Sequence, residues 1–247
     1  MHAGSARWLK RFGRTAPSRI QLFCLHHAGG AAALYRSWPR LLPDTVAPVA
    51  VQLPGRADRF GESAYERMEP LVGDLVEVLR PMLAQPFALY GTSMGARVAW
   101  ALCHALRAQA LSMPRILYVA SNPAPRSGRG SWHPGKTDAQ LVRFLHELGS
   151  TPSEAFEDPE LLGLMLPTLR ADLTLLDEYD ARPAVRLDVP IRAFASPADT
   201  VSTVERMRGW RDETSAGFTL DLVSGGHLFD SVGVRQVIRT ITEDLTG

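Results

Sequence analysis

A serine between two glycines, a histidine after two glycines and an aspartate just past an apolar run are the residues here that could share nucleophilic chemistry. The serine is Ser93, in Gly91-Thr92-Ser93-Met94-Gly95, which follows the apolar Phe87-Ala88-Leu89-Tyr90 and opens a helical pattern. Gly-x-Ser-x-Gly alone is a weak signal. On a tight strand-to-helix turn it gains force. The backbone there is strained, the hydroxyl stands up at the end of the sheet, and the glycines leave room for neighbouring backbone. The helix N-terminus adds positive potential for a developing oxyanion. The bland alternative is that Thr92 or Ser93 only caps the helix.

A hydroxyl at neutral pH needs a base. Of the seven histidines, His227 stands apart, in Ser224-Gly225-Gly226-His227-Leu228-Phe229. That segment reads as a flexible turn after the last strand and before the last helix. From it an imidazole could swing over the sheet edge. The acid should fall between them in sequence, since the order Ser…Asp…His distinguishes the α/β-hydrolase fold from unrelated triad proteins. Asp199, in Ala195-Ser196-Pro197-Ala198-Asp199-Thr200, follows the apolar Ile191–Ala195. Site residues gather at such carboxyl ends of strands. Asp188 and Asp221 face the wrong way in this scheme, and Asp199 as a simple turn residue is the plain alternative. An oxyanion hole needs two N–H donors, one from Met94, after the nucleophile. The second should come from His26-His27-Ala28-Gly29-Gly30, after the first strand. We place it at Ala28, give or take one residue. His26-His27 lacks an accompanying Asp, Glu or Cys set, so packing behind the site fits it better than metal binding.

These residues need a scaffold. Apolar runs at 20–25, 46–53, 86–90, 116–121, 190–195 and 218–223 read as strands, and helical spacing marks 68–83, 93–108 and 231–245. The alternation predicts a mostly parallel central sheet covered by helices on both faces. Between about 137 and 180 there is no strand. Leu141, Phe144, Leu145 and Leu148, then Leu161 to Leu176, suggest several short helices punctuated by Pro152, Pro159 and Pro167. This helical insertion must cover either the core or a substrate channel. Residues 1–18 read as a loosely held basic arm, with Trp8, Leu9 and Phe12 able to dock, or as a solvated tail. Residues 19–247 then form one domain.

The chain has 247 residues, 45% of them hydrophobic, enough to bury one sizeable core. With 21% charged residues and a net charge of +1, it lacks the basic footprint of a nucleic-acid binder. No run is long enough for a membrane span or signal peptide. Cys24 and Cys103 read as small core residues, which suits a reducing cytoplasm.

The motifs carry a resemblance. The chain resembles the stand-alone type II thioesterases that accompany polyketide synthases and nonribosomal peptide synthetases. Leu22-Phe23-Cys24-Leu25-His26-His27-Ala28-Gly29-Gly30 is similar to that family's first strand and oxyanion loop. Val51-Gln52-Leu53-Pro54-Gly55-Arg56-Ala57-Asp58-Arg59-Phe60 is similar to its loop after a central strand. Leu166-Pro167-Thr168-Leu169-Arg170-Ala171-Asp172 resembles a lid segment, Gly225-Gly226-His227 with Phe229 the histidine turn, and Trp8 to Phe12 the leading arm. The chain departs from the pattern at Thr92, where the family usually has His, at His26-His27, and at Ser196-Pro197-Ala198, where it often has glycines.

The resemblance implies a substrate: acyl groups held as thioesters on the phosphopantetheine arm of an acyl or peptidyl carrier protein. It also implies a task, the editing of stalled or wrongly primed chains, by a cytoplasmic monomer without metal or organic cofactor. Because carriers are commonly acidic, Arg56, Arg59 or the basic residues of the arm are candidates to dock one. Two rivals stand beside this reading: an esterase or lipase acting on free esters, and a non-catalytic hydrolase-fold binding module.

Overall fold

The computed structural model describes residues 5–13, 18–127, 137–148, 158–179 and 185–247. Seven strands form one sheet: β1 (Leu9–Lys10), β2 (Ile20–Leu25), β3 (Val46–Val51), β4 (Phe87–Thr92), β5 (Leu117–Ala120), β6 (Ile191–Ala195) and β7 (Phe218–Leu222). Their order across the sheet is β1-β3-β2-β4-β5-β6-β7. All neighbours are parallel except β1, which pairs antiparallel with β3. This is the α/β-hydrolase architecture expected from the alternating pattern.

Every residue of β2 and β4 is buried, as a strand covered on both faces requires. Their side chains alternate between two layers. Phe23, Leu25 and Leu89 join a core with α2 (Met68–Leu79) and α3 (Met94–Ala108). Leu22, Cys24 and Tyr90 face the opposite core with α7 (Ser231–Thr246). The chain winds from β2 to β3 in one direction and to β4 in the other. The loops after β2 and β4 therefore diverge at a switch point of the sheet, where α/β folds place their ligands.

Three elements differ from expectation. The helix from Met68 ends at Leu79 and tightens into a 3-10 turn at Arg80–Met82, because Pro81 cannot continue it. In the insertion, α4 (Asp138–Leu148) is followed by α5 (Pro159–Glu178), a single 20-residue helix with Pro167 inside it rather than several short ones. Pro167 and Gly163, whose carbonyl it leaves without a donor, are both exposed, so water can serve that carbonyl. Pro152 lies outside the described residues. The described part of the arm, finally, is held rather than loose. After a short turn of helix, α1 (Ser5–Trp8), the backbone carbonyl of buried Trp8 accepts from Gln52 N–H at 2.7 Å, and Leu9 and Lys10 lie opposite Val51 and Ala50.

Candidate active site

The turn from β4 into α3 sets the nucleophile. Ser93 has φ 54° and ψ −119°, a conformation a side-chain-bearing residue rarely adopts. The two glycines are required by contact. A Cβ at Gly91 would overlap the Gly95 carbonyl, and one at Gly95 would overlap the carbonyls of Leu25 and His26. The second overlap also shows that the head of α3 lies against the loop that follows β2.

Ser93, His227 and Asp199 meet as the sequence suggests. His227 Nε2 is 3.0 Å from Ser93 Oγ, and His227 Nδ1 is 3.0 Å from Asp199 Oδ2. All three are buried. Asp199 Oδ1 accepts from the amides of Val201 at 2.8 Å and Ser202 at 2.9 Å. Burial works against charge on Asp199, but the His227 hydrogen bond and these amides outweigh it and hold the carboxyl below its ordinary value. Asp221 is tied instead to Arg192, at 2.6 Å.

The histidine turn is pinned rather than free to swing. Gly225 and Phe229 bridge its base, Ser196 Oγ donates to the Gly225 carbonyl, and Asp230 caps α7 through the amides of Val232 and Gly233. Gly225 has φ 106°, and a Cβ there would overlap Asp230 N. The acid loop and the histidine turn are thus joined directly.

Met94 and Ala28 are both buried beside this array. Of the neighbouring amides, Gly29 N–H donates to Asp172 Oδ2 at 2.7 Å and Gly30 N–H to the His27 carbonyl at 3.0 Å. Those two are engaged, which narrows the choice of a second donor toward Ala28. His26 and His27 are buried behind the loop, with His26 Nδ1 2.8 Å from the His27 carbonyl. Among the described residues no cluster of His, Cys, Asp and Glu could hold a metal ion.

Sequence reasoning overlooked a buried clasp. Arg56 and Asp172 form a bidentate pair, at 2.6 and 2.8 Å, and Arg56 Nη1 reaches the Gly30 carbonyl at 3.4 Å. Thr168 Oγ1 donates to the Gly55 carbonyl at 2.7 Å. Helix α5 is therefore fastened over the oxyanion loop, and its Leu169 side chain lies 3.4 Å from where a Gly29 Cβ would be. The available signal was a lone acid between Leu169 and Leu173 on the apolar stripe of α5. The clasp also corrects the docking role considered for Arg56 and Arg59. Both guanidinium groups are buried, and Arg59 is spent on Glu62. In the arm, Arg7 pairs with Glu62, Lys10 pairs with Asp58 and Arg11 donates to Gln21. Arg14 lies outside the described residues.

The fold is that of the α/β-hydrolases, and it brings a serine, a histidine and an aspartate within hydrogen-bond reach of one another. The chain belongs to the thioesterase family: the family model for the thioesterase domain matches residues 20–245. It is 36% identical over 250 residues to linear gramicidin dehydrogenase LgrE of Brevibacillus parabrevis, covering 99% of this chain and 94% of that one. It is 30% identical over 246 residues to thioesterase PikA5 of Streptomyces venezuelae, covering 99% and 88%. It superposes on the type II thioesterase BorB from the borrelidin biosynthetic cluster with a TM-score of 0.87 at 35% identity, covering 96% of this chain and 97% of that one. The type II class expected from the motifs is the class of BorB. Among the described residues no helix is long and apolar enough to cross a membrane.

Proposed function

We propose that residues 19–247 act as one catalytic unit that hydrolyses acyl thioesters from the phosphopantetheine arm of acyl or peptidyl carrier proteins, clearing aberrant or stalled chains. The observation that carries the reading is the Ser93–His227–Asp199 array, with 3.0 Å at each junction, in a chain of the thioesterase family. Ser93 Oγ attacks the thioester carbonyl while His227 Nε2 takes its proton. Asp199 holds His227 in the tautomer with the proton on Nδ1 and stabilises the imidazolium. The amides of Met94 and Ala28 receive the oxyanion. The pantetheine thiol leaves with a proton from His227. Water, deprotonated by His227, then attacks the acyl-enzyme and releases the acid.

The surroundings support the roles. Strain at Ser93 fixes the hydroxyl, the pinned turn fixes the imidazole, and α5 lies over the oxyanion loop where an acyl channel needs a roof. We place the work in the cytoplasm by a monomer. Two buried free thiols, Cys24 and Cys103, fit a reducing compartment.

The test is hydrolysis of an acyl-carrier panel followed by mass spectrometry, with the same acyl groups offered as coenzyme A thioesters and oxygen esters. Carrier-bound acyl groups should be cleaved best. Ser93→Ala should stop turnover, and Asp199→Asn should slow it by about 10⁴-fold through the wrong imidazole tautomer. Turnover of free esters alone would leave a hydrolase without the carrier role, and turnover by Ser93→Ala would remove the nucleophile.

A further inference from the structure

Two 3-10 turns follow β2, Ala32–Tyr35 and Trp38–Arg40. Between them and the head of α7 lies a groove of about 370 Å³. Its floor is aromatic: Tyr35, Trp38 and Tyr90 pack ring against ring, with centroids 4.9 to 6.0 Å apart. Thr92, Leu228 and Phe229 also line it. Thr92 precedes Ser93 and Leu228 follows His227, so the groove runs up to the neighbours of both the nucleophile and the base.

The outer rim is apolar and open. Leu34 and Leu41 are 41% and 45% exposed, and Val232, beside the lining residue Ser231, is 47% exposed. Around it sit arginines. Arg235 lines the groove, and Arg36 and Arg40 line an adjoining hollow that shares Leu34 and Ser37. No acidic residue lines either hollow. Arg36, Arg40 and Arg235 form no ion pair among the described residues. Asp230 feels the charge of Arg235, but its carboxylate is engaged with Ser224 and the amides that open α7. The basic side chains named in the sequence analysis are mostly spent in ion pairs, whereas these three are not, Arg36 resting over the Phe12 ring at 5.4 Å.

We propose that this groove and its arginines are the docking face for an acidic carrier domain whose thin pantetheine arm runs along the aromatic floor toward Ser93. The inference rests on the carrier-thioesterase reading above. Three features of the face match three of the partner. The apolar rim suits a docked helix, the arginines without ion pairs suit an acidic surface, and a slot lined at its inner end by Thr92 and Leu228, next to the nucleophile and the base, suits a narrow arm. Charges at such a rim act mainly on encounter and give a rate that falls with salt.

The experiment compares kcat/KM for an acyl-carrier with kcat/KM for the same acyl group on N-acetylcysteamine, a small thioester without a protein. The wild type is measured from low to high salt. The variants are Arg36→Glu/Arg40→Glu/Arg235→Glu, and Arg115→Glu at the opposite edge of the sheet. The carrier-to-small-thioester ratio should fall about tenfold or more in the triple variant, stay unchanged in Arg115→Glu, and fall with salt in the wild type. An unchanged ratio in the triple variant, or a salt-independent wild type, overturns the docking face while carrier turnover still supports the function. A wild type that does not prefer the carrier overturns the function itself. The salt series needs no variant, so the test survives a triple variant that fails to fold. Dimerisation abolished by the triple variant, with the ratio unchanged, would assign the groove to a second copy of the chain and overturn the proposal.

Discussion

Histidine serves two opposite ends in this protein. His227 must exchange a proton, whereas His26 and His27 are buried and held neutral. Burial is the main cause for both. Repulsion from His227 and then Arg56 adds to it at His27, whose pKa is pushed down to about 4, and Arg56 and His27 act on His26, which also lies well below its ordinary value. In the unfolded chain both titrate near 6.5, so below that pH the unfolded chain binds protons that the folded one refuses. Stability should therefore fall as pH drops from about 6.5 toward about 4, by about 1.4 kcal/mol per pH unit for each histidine. His104, lowered to about 4 chiefly by burial, acts in the same direction. Asp199, whose pKa is depressed, loses its contribution only below the ordinary carboxylate range, outside this window. Urea unfolding at pH 7, 6 and 5 should show the slope, and His27→Gln should make it shallower. A flat profile would mean that neither histidine is held neutral.

Helix α5 divides at Pro167. On its N-terminal side Leu161 and Leu164 are exposed, and on its C-terminal side Leu169, Leu173, Leu175 and Leu176 are buried. The Arg56–Asp172 clasp fastens the second half, and its two partners are unequal to their separate parts. Asp172→Ala strands a buried guanidinium and should destabilise the fold by about 3–5 kcal/mol. Arg56→Met/Asp172→Leu removes both charges and should regain most of that stability. It should not regain kcat, because the Gly29 amide has lost its acceptor and the oxyanion loop its register. Urea melts beside kcat and KM for each variant separate the two effects. Full activity in the double variant would reduce the clasp to packing.

At the scale of the whole sheet, β1 decides how one edge ends. Without it β3 would present unpaired backbone to solvent, a template for association. The arm is held by more than two residues of pairing. Arg59 Cζ stands 4.1 Å over the Trp8 ring, and Tyr65 packs at 6.2 Å on it. Trp8→Ala should cost about 3 kcal/mol and uncover β3. A thermal melt should register the loss and light scattering the association. A variant that melts with the wild type and stays dispersed would make the arm an ornament of the surface.

Local chemistry and periodicity sufficed for much of this protein. Gly91-Thr92-Ser93-Met94-Gly95 after an apolar run is a strand-to-helix turn whatever surrounds it. Runs of buried β-formers alternating with 3.6-residue spacing lead to a covered parallel sheet. The chain order Ser…Asp…His together with the positions of the strand ends singled out Ser93, Asp199 and His227, because a parallel sheet brings all its carboxyl ends to one edge. Tertiary structure decided what depends on residues far apart in sequence. Arg56 looked like a free charge until Asp172, 116 positions away, was found against it. Pro167 looked like a helix stop until its face proved to be solvent. The histidine turn looked mobile until Ser196 and Asp230 were seen to pin it. Charge pairing, the side an interruption faces and loop tethering are long-range properties that no local pattern encodes.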